Sequence, residues 1–167
     1  MIEARLFTNL LIVSALCVAL VAGLVFTFAL ITMPGIKRLK DREFIRAFQV
    51  MDGIIQGNQP LFIVVWAGSV VTLLAAVALG FRQLDGIPQW LLIAATVLYL
   101  FGVQLPTVRV NIPLNNELQT LDVSTMDAAA LSTARQQFEP RWNRWNIFRS
   151  VVAIGVTILL LIVLRLL

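Results

Sequence analysis

Histidine is absent from the 167 residues, and cysteine occurs only once. Without histidine, the chain cannot supply a His-ligated haem, a His-rich iron, copper or zinc site, or a histidine general base. Cys17 lies inside an apolar run, which excludes an intrachain disulfide, a CxxC redox pair and a thiolate metal cluster. We therefore predict that the chain holds no metal and no cofactor.

Charge is also scarce. Only 13% of the residues are charged, against about 25% in soluble proteins, while 59% are hydrophobic and the mean hydropathy is +0.89. This composition excludes a soluble globule, a disordered tail and a nucleic-acid-binding module. The chain is predicted to be an integral membrane protein, despite a net charge of +4 that would suggest a nucleic-acid partner in a soluble protein.

Four apolar segments are each long enough to cross a bilayer as a helix. We place them at about 7–32, 60–81, 88–108 and 146–167. We expect the first span to end at Met33, Pro34 and Gly35, because proline and glycine interrupt helices. The prediction is a single all-α domain, a four-helix membrane bundle whose two long polar connections lie on one side.

Lys and Arg are distributed unevenly across this bundle. The side with the two long connections carries ten of the 13, and the side with the termini and the short loop carries Arg5, Arg82 and Arg165. The positive-inside rule then predicts cytoplasmic long connections and outside termini, as in a multi-pass protein of a bacterial inner membrane. The expected macromolecular partner is the lipid bilayer, whose anionic headgroups attract these cations.

Each long connection is predicted to contain a short helix. Within 41–57, Phe44, Phe48, Met51 and Ile55 recur at helical spacing, which indicates an amphipathic helix. In the second connection, helix-capping residues from Ser124 onward precede a run of alanines, so we predict another short helix at about 124–137.

Polar residues gather where the first connection meets the second span. Asp52 is a candidate catalytic proton acceptor, and Asn58 and Gln59 are candidate substrate contacts. The alternative is a solvated helix C-terminus that ends at Gly57 and Asn58. The sequence leaves both interpretations open.

A second polar group follows the third span. Asn111 and Asn115 are four residues apart and share one helical face. An amide both donates and accepts, which suits a phenol, quinone or carbonyl ligand. Asn115 is therefore a candidate catalytic residue, with Arg109 and Asn111 as candidate substrate contacts. The same amides would equally serve as hydrogen bonds between helices.

A third group lies at the start of the fourth span. Trp142, Trp145, Asn146 and Arg149 fall on one helical stripe. Arg149 is a candidate catalytic residue, and the other three are candidate substrate contacts. The alternative is an aromatic belt with cationic anchors. Arg149, however, lies about one turn inside the apolar span, deeper than an anchor requires.

Taken together, these stretches resemble the anthrone oxygenase family of small four-helix membrane proteins, also described as domain of unknown function 1772. The resemblance covers most of the chain and is carried by four motifs, at 33–35, 56–60, 111–115 and 138–149. The most specific parts are the Asn-x-Pro-x-Asn run at 111–115 and the Trp-Asn-x-x-Arg run formed by Trp145, Asn146 and Arg149.

This resemblance implies an oxygenase that acts on a flat apolar aromatic molecule of the anthrone, phenol or quinone type at the cytoplasmic end of the bundle. An anthrone enolate can pass an electron to O2 without a metal or flavin. Asp52 would remove the proton, Asn115 would hold an oxygen substituent and Arg149 would stabilise the enolate. Trp142 and Trp145 would stack on the rings.

A noncatalytic function is the alternative. The same polar residues would suit a membrane protein that binds a lipid or quinone, or a structural subunit of a larger membrane complex. The sequence leaves open whether the chain is an enzyme and how many copies assemble.

Overall fold

The computed structural model describes residues 2–167, which are helical with short turns and contain no strand. Four of their helices are long and apolar enough to cross a membrane, which confirms the predicted all-α membrane bundle. These four helices span Glu3–Ile36, Pro60–Gly80, Ile87–Gln119 and Ala128–Arg165.

We number five helices. Helix α1 comprises Ile2–Thr27, a π-helical turn Phe28–Thr32 and a last α-helical turn Met33–Ile36. Helix α2 is the shorter Asp41–Gln56, and α3 is Pro60–Gly80. Helix α4 begins as Ile87–Tyr99 and ends as Ile112–Gln119, with two π-helical turns between them, and α5 is Ala128–Arg165. The turns in α4 are Leu100–Gln104 and Thr107–Asn111.

Three prolines, Pro34, Pro106 and Pro113, lie inside helices and follow π-helical turns, whereas Pro60 and Pro88 lie in the first turns of α3 and α4. The expected stop of the first span at Pro34 is wrong, because α1 continues to Ile36. The expected end of the third span at about 108 is also too early, because α4 continues through Pro113 to Gln119. In each case a π-helical turn ends just before the proline. The residue preceding the proline bonds to the carbonyl five residues back, as Met33 does to Phe28. These wider turns accommodate the prolines without ending the helix.

A separate helix at 124–137 does not form. Two hydrogen bonds from Ser124 to the carboxylate of Asp122 make a turn there, and they lower the pKa of Asp122 from its ordinary value. Asp127 then caps α5 by accepting a 2.8 Å bond from the N–H of Ala130. The helix continues unbroken through Pro140, which is exposed, so solvent can satisfy the carbonyl that proline leaves unpaired.

Helix α2 lies across the polar end of the bundle, on α5 and the last part of α4. Its buried face consists of Phe44, Ile45, Phe48, Gln49 and Asp52. The amide nitrogen of Gln49 donates to the carbonyls of Leu118 and Leu121, at 2.8 and 3.0 Å. The amphipathic pattern therefore marks a helix that is docked on the bundle.

Arg135 ties the connection before α2 to α5. Its guanidinium donates to the carbonyls of Lys37 and Leu39 and to the carboxylates of Asp41 and Glu139, at 2.7 to 3.0 Å. The group also lies 4.3 Å from the centroid of the Phe44 ring. One side chain thus fixes the start of α2.

The apolar interior has two parts. Within the bundle, α1 packs against α3 and α5, around residues such as Leu11, Tyr99 and Leu160. A second cluster under α2 contains Phe48 and Trp142. Buried polar residues adjoin this second cluster, so a site can form where the cluster meets the bundle.

Candidate functional site

A cavity of about 200 Å³ lies under α2 at the polar end of the bundle, and all five helices line it. Most of its wall is apolar, with five aromatic rings. These rings are Phe28, Phe48, Phe62, Trp66 and Trp142. Six polar side chains complete the wall. They are Asp52, Thr107, Asn111, Asn115, Asn146 and Arg149. Apolar walls with a few polar groups are typical of small-molecule sites.

Asp52 of α2 is buried and accepts hydrogen bonds from three amide side chains. Asn115 donates to Oδ1 at 2.7 Å, and Gln56 and Gln119 donate to Oδ2 at 2.7 and 3.0 Å. All three donors are neutral. A carboxylate has about four acceptor positions, so a further one is available for a ligand proton.

Trp142 of α5 orients the amide of Asn115. The indole N–H donates to Asn115 Oδ1 at 2.8 Å, and the amide nitrogen then faces Asp52. The Trp142 ring also packs edge-on against Phe48, with centroids 5.4 Å apart. The indole, amide and carboxylate therefore form one hydrogen-bonded chain along the cavity wall.

Arg149 brings a cation to the same cavity although only 4% of it is exposed. Its guanidinium donates to the hydroxyl of Thr107 at 2.7 Å and to Asn146 Oδ1 at 2.9 Å. Both partners are neutral, Nε has no hydrogen-bond partner within residues 2–167, and no carboxylate of that range pairs with the group. A buried cation with only neutral partners is suited to stabilise negative charge on a ligand.

The two remaining amides lie beside this cation. Asn146 Nδ2 donates to the carbonyl of Val25 at 2.9 Å, which leaves its oxygen for Arg149. Asn111 is 2% exposed and its Nδ2 lies 3.4 Å from the carbonyl of Trp142, while its Oδ1 has no partner in the described part of the chain. The cavity wall thus contains an unpaired donor at Arg149 and an unpaired acceptor at Asn111.

The structure brings together six of the ten residues selected from the sequence. Asp52, Asn115 and Arg149, with Asn111, Trp142 and Asn146, all line the cavity. They come from three separate stretches of the sequence, on α2, α4 and α5.

The other four selected residues lie outside the lining. Asn58 is exposed in the turn before α3 with φ 60°, and Gln59 caps α3 by accepting a bond from the N–H of Phe62. Arg109 is exposed, because the π-helical turn around it aims Thr107 and Asn111 inward instead. Trp145 is partly buried, packs edge-on against Phe148 and borders the apolar cluster under α2.

Several residues of the site were missed by the sequence analysis. Thr107 bonds to Arg149 across 42 positions, and Gln119 bonds to Asp52 across 67. Neither pair has a spacing that a sequence pattern reveals. Trp66 lies in an apolar span, where a tryptophan is ordinarily read as packing or an interfacial anchor.

The fold and this cavity define a four-span helical membrane protein whose mainly apolar, aromatic pocket at one end also contains six polar side chains. A sequence model of the family described as Anthrone oxygenase matches residues 56–159, more than half of the chain. The protein belongs to the anthrone oxygenase family. The match includes Asn115, Trp142 and Arg149, whereas Asp52 precedes it. Searches of curated proteins and of solved structures returned no match.

Proposed function

We propose that the protein is an oxygenase that binds a flat apolar aromatic molecule, of the anthrone, phenol or quinone type, in this cavity and oxidises it with O2. One observation carries the proposal. A carboxylate, Asp52, and a cation, Arg149, line the same aromatic cavity, and each is hydrogen-bonded only to neutral groups within residues 2–167. A proton acceptor and a site for an oxyanion are what enolate formation requires.

For an anthrone the reaction balances without another reactant. One anthrone and one O2 give one anthraquinone and one water. The methylene carbon opposite the ketone becomes a carbonyl, and its two hydrogens end in the water. O2 accepts four electrons in total, and one of its oxygen atoms enters the product. The protein must therefore bind the ring system, remove a proton and stabilise the enolate oxygen.

We assign each of these tasks to a different residue of the cavity wall. Asp52 takes the methylene proton, using the acceptor position that its three amide partners leave open. Arg149 stabilises the oxygen on which the enolate charge develops, through its free Nε. Asn111 accepts from a hydroxyl substituent, and Trp142 forms part of the wall that contacts the rings.

The position in the membrane supports an apolar substrate. The cavity lies at the end of the bundle that carries the long connections, and ten of the 13 Lys and Arg residues lie on that side. The positive-inside rule favours the cytoplasm for this end. A flat apolar molecule would then be supplied from the surrounding lipid, and its polar product would form near the cytoplasmic surface.

Oxygen uptake by the purified protein tests the proposal. We expect uptake of one O2 per anthrone, faster than the autoxidation measured without protein, and anthraquinone as the product. Asp52→Asn should slow turnover by about 10²- to 10⁴-fold, the usual contribution of a general base. Asp85→Asn is the matched control, because Asp85 is exposed in the loop between α3 and α4.

Two results would contradict the proposal. Wild-type turnover by Asp52→Asn would show that another group takes the proton. Tight binding of anthrone without any O2 uptake above the blank would favour a noncatalytic protein that binds quinones or lipids.

A further inference from the structure

Two tryptophans line the cavity, and an amide side chain of α4 fixes each of them. Trp142 of α5 donates its indole N–H to Asn115, and Trp66 of α3 donates its indole N–H to Gln104 Oε1 at 2.9 Å. Each bond constrains the N–H edge of an indole as well as the amide that accepts from it. The Trp66–Gln104 pair has no part in the proton transfer proposed above.

Helix α4 reaches both tryptophans because it is not a regular α-helix. In a regular helix, residues 104 and 115 would share a face, since they are about three turns apart. The π-helical turn Thr107–Asn111 lies between them and changes this register. Gln104 consequently contacts α3, whereas Asn115 contacts α5 and α2.

Two neighbouring side chains, Phe62 and Gln104, constrain the ring of Trp66. Its indole stacks on Phe62, another residue of the cavity wall, with centroids 5.3 Å apart and planes 25° apart. The ring is therefore constrained at both its face and its N–H edge.

Gln104 supplies an acceptor for the indole N–H of Trp66. Its Oε1 is used by Trp66, while its Nε2 is buried without a partner in the described residues. A Leu or Met at this position would offer the indole N–H no acceptor.

We propose that Gln104 is a positioning residue that sets the affinity of the cavity for flat aromatic ligands by holding the Trp66 ring. This inference rests on the proposed function only in that the cavity binds such a ligand. Gln104 acts through Trp66 and touches neither the ligand nor the reacting atoms. It therefore governs binding, while Asp52 and Arg149 govern turnover.

A double-mutant cycle tests the inference, with 9,10-anthraquinone as the probe. Binding is measured by equilibrium dialysis of the full-length protein in detergent, without turnover. Gln104→Met, which keeps the length of the side chain and removes the acceptor, should weaken binding by roughly three- to tenfold. In a Trp66→Phe background, where the N–H is already absent, the same substitution should change affinity less than twofold.

Steady-state kinetics with anthrone give the second readout. Gln104→Met should raise KM by a similar factor and leave kcat within about twofold, because the reacting groups are unchanged. Gln89→Met is the matched control, since Gln89 lies in the first turn of α4, outside the cavity lining. If Gln104→Met does not fold, Trp66→Phe alone should still weaken anthraquinone binding relative to Trp90→Phe, whose tryptophan is 69% exposed.

Each outcome separates this inference from the proposed function. Equal anthraquinone affinity in wild type and Gln104→Met overturns the inference alone, as does an undiminished effect of Gln104→Met in the Trp66→Phe background. Anthraquinone binding that depends on Gln104, in a protein without O2 uptake, supports the inference and overturns the oxygenase.

Discussion

The indole N–H of Trp142 donates a 2.8 Å hydrogen bond to Oδ1 of Asn115. Because the indole offers only a donor, it decides which end of the Asn115 amide faces Asp52. The amide nitrogen accordingly reaches Asp52 Oδ1 at 2.7 Å. A ring of the cavity wall thereby orients the group proposed to take a proton, although the two residues are 90 positions apart in sequence.

Replacing Trp142 with Phe tests this relationship. The phenyl ring should keep the packing against Phe48, but the amide of Asn115 would lose the bond that fixes its orientation. We expect kcat to fall roughly tenfold, the effect of one hydrogen bond of about 1.4 kcal/mol. Stopped-flow oxidation of anthrone measures it.

Trp145→Phe is the control for that experiment, because Trp145 lies three residues away on α5 and outside the cavity lining. It should retain wild-type kcat. Equal losses in the two variants would mean that the effect is one of helix packing and not of amide orientation.

The two arginines proposed from the sequence should behave differently. Arg149→Leu removes the buried cation, and kcat/KM should fall by about 10²- to 10³-fold, as for loss of an oxyanion-stabilising donor. Arg109→Leu should have little effect, since Arg109 is exposed. Steady-state oxygen uptake measures both variants. A large loss of kcat/KM in Arg109→Leu would contradict the structure, because it would show that the cavity extends to Arg109.

Arg135 should contribute to stability rather than to turnover. Arg135→Leu removes contacts to two carbonyls and two carboxylates that hold the start of α2. We expect the free energy of unfolding to fall by about 2 kcal/mol, and amide exchange in α2 to accelerate. Thermal unfolding in detergent and hydrogen exchange measure these effects. Arg141→Leu, at an exposed position of α5, should leave both unchanged.

Gly102 should be sensitive to the smallest substitution. A Cβ atom there would lie 2.7 Å from Cγ1 of Val152, closer than two carbon atoms can pack. Gly102→Ala should lower the free energy of unfolding by about 1–3 kcal/mol through overpacking. Adding Val152→Ala should restore part of the loss, because the clashing methyl groups are removed.

Gly155→Ala is the control for Gly102→Ala. Apart from its chain neighbours and the nearby backbone of α5 itself, no atom of the described chain lies within 4 Å of a Cβ at this position, so the substitution should be neutral or slightly stabilising. Unfolding titrations in SDS compare the variants. A stable Gly102→Ala protein would show that α4 and α5 can separate at this contact without cost.

The candidate site was partly predictable because helical spacing is local information. Asn111 and Asn115 on one helix, and Trp142, Asn146 and Arg149 on another, follow from sequence positions alone. The same spacing also selected Trp145, and Arg109 was chosen because it belongs to the same polar group as the two asparagines; the structure places both outside the cavity. Spacing identifies a stripe on a helix, but the neighbouring helices decide which edge of that stripe is covered.

By itself, the sequence determined the membrane class, the number of spans and the end at which polar groups gather. These properties follow from hydropathy, segment length and charge counts, which need no knowledge of packing. The tertiary structure decided the continuous paths of α1, α4 and α5 through their prolines, since local π-helical turns or solvent compensate for the missing N–H groups. It also decided the pairings of Asp52 with Asn115 and of Trp66 with Gln104, because contacts between helices depend on how the helices are rotated against one another.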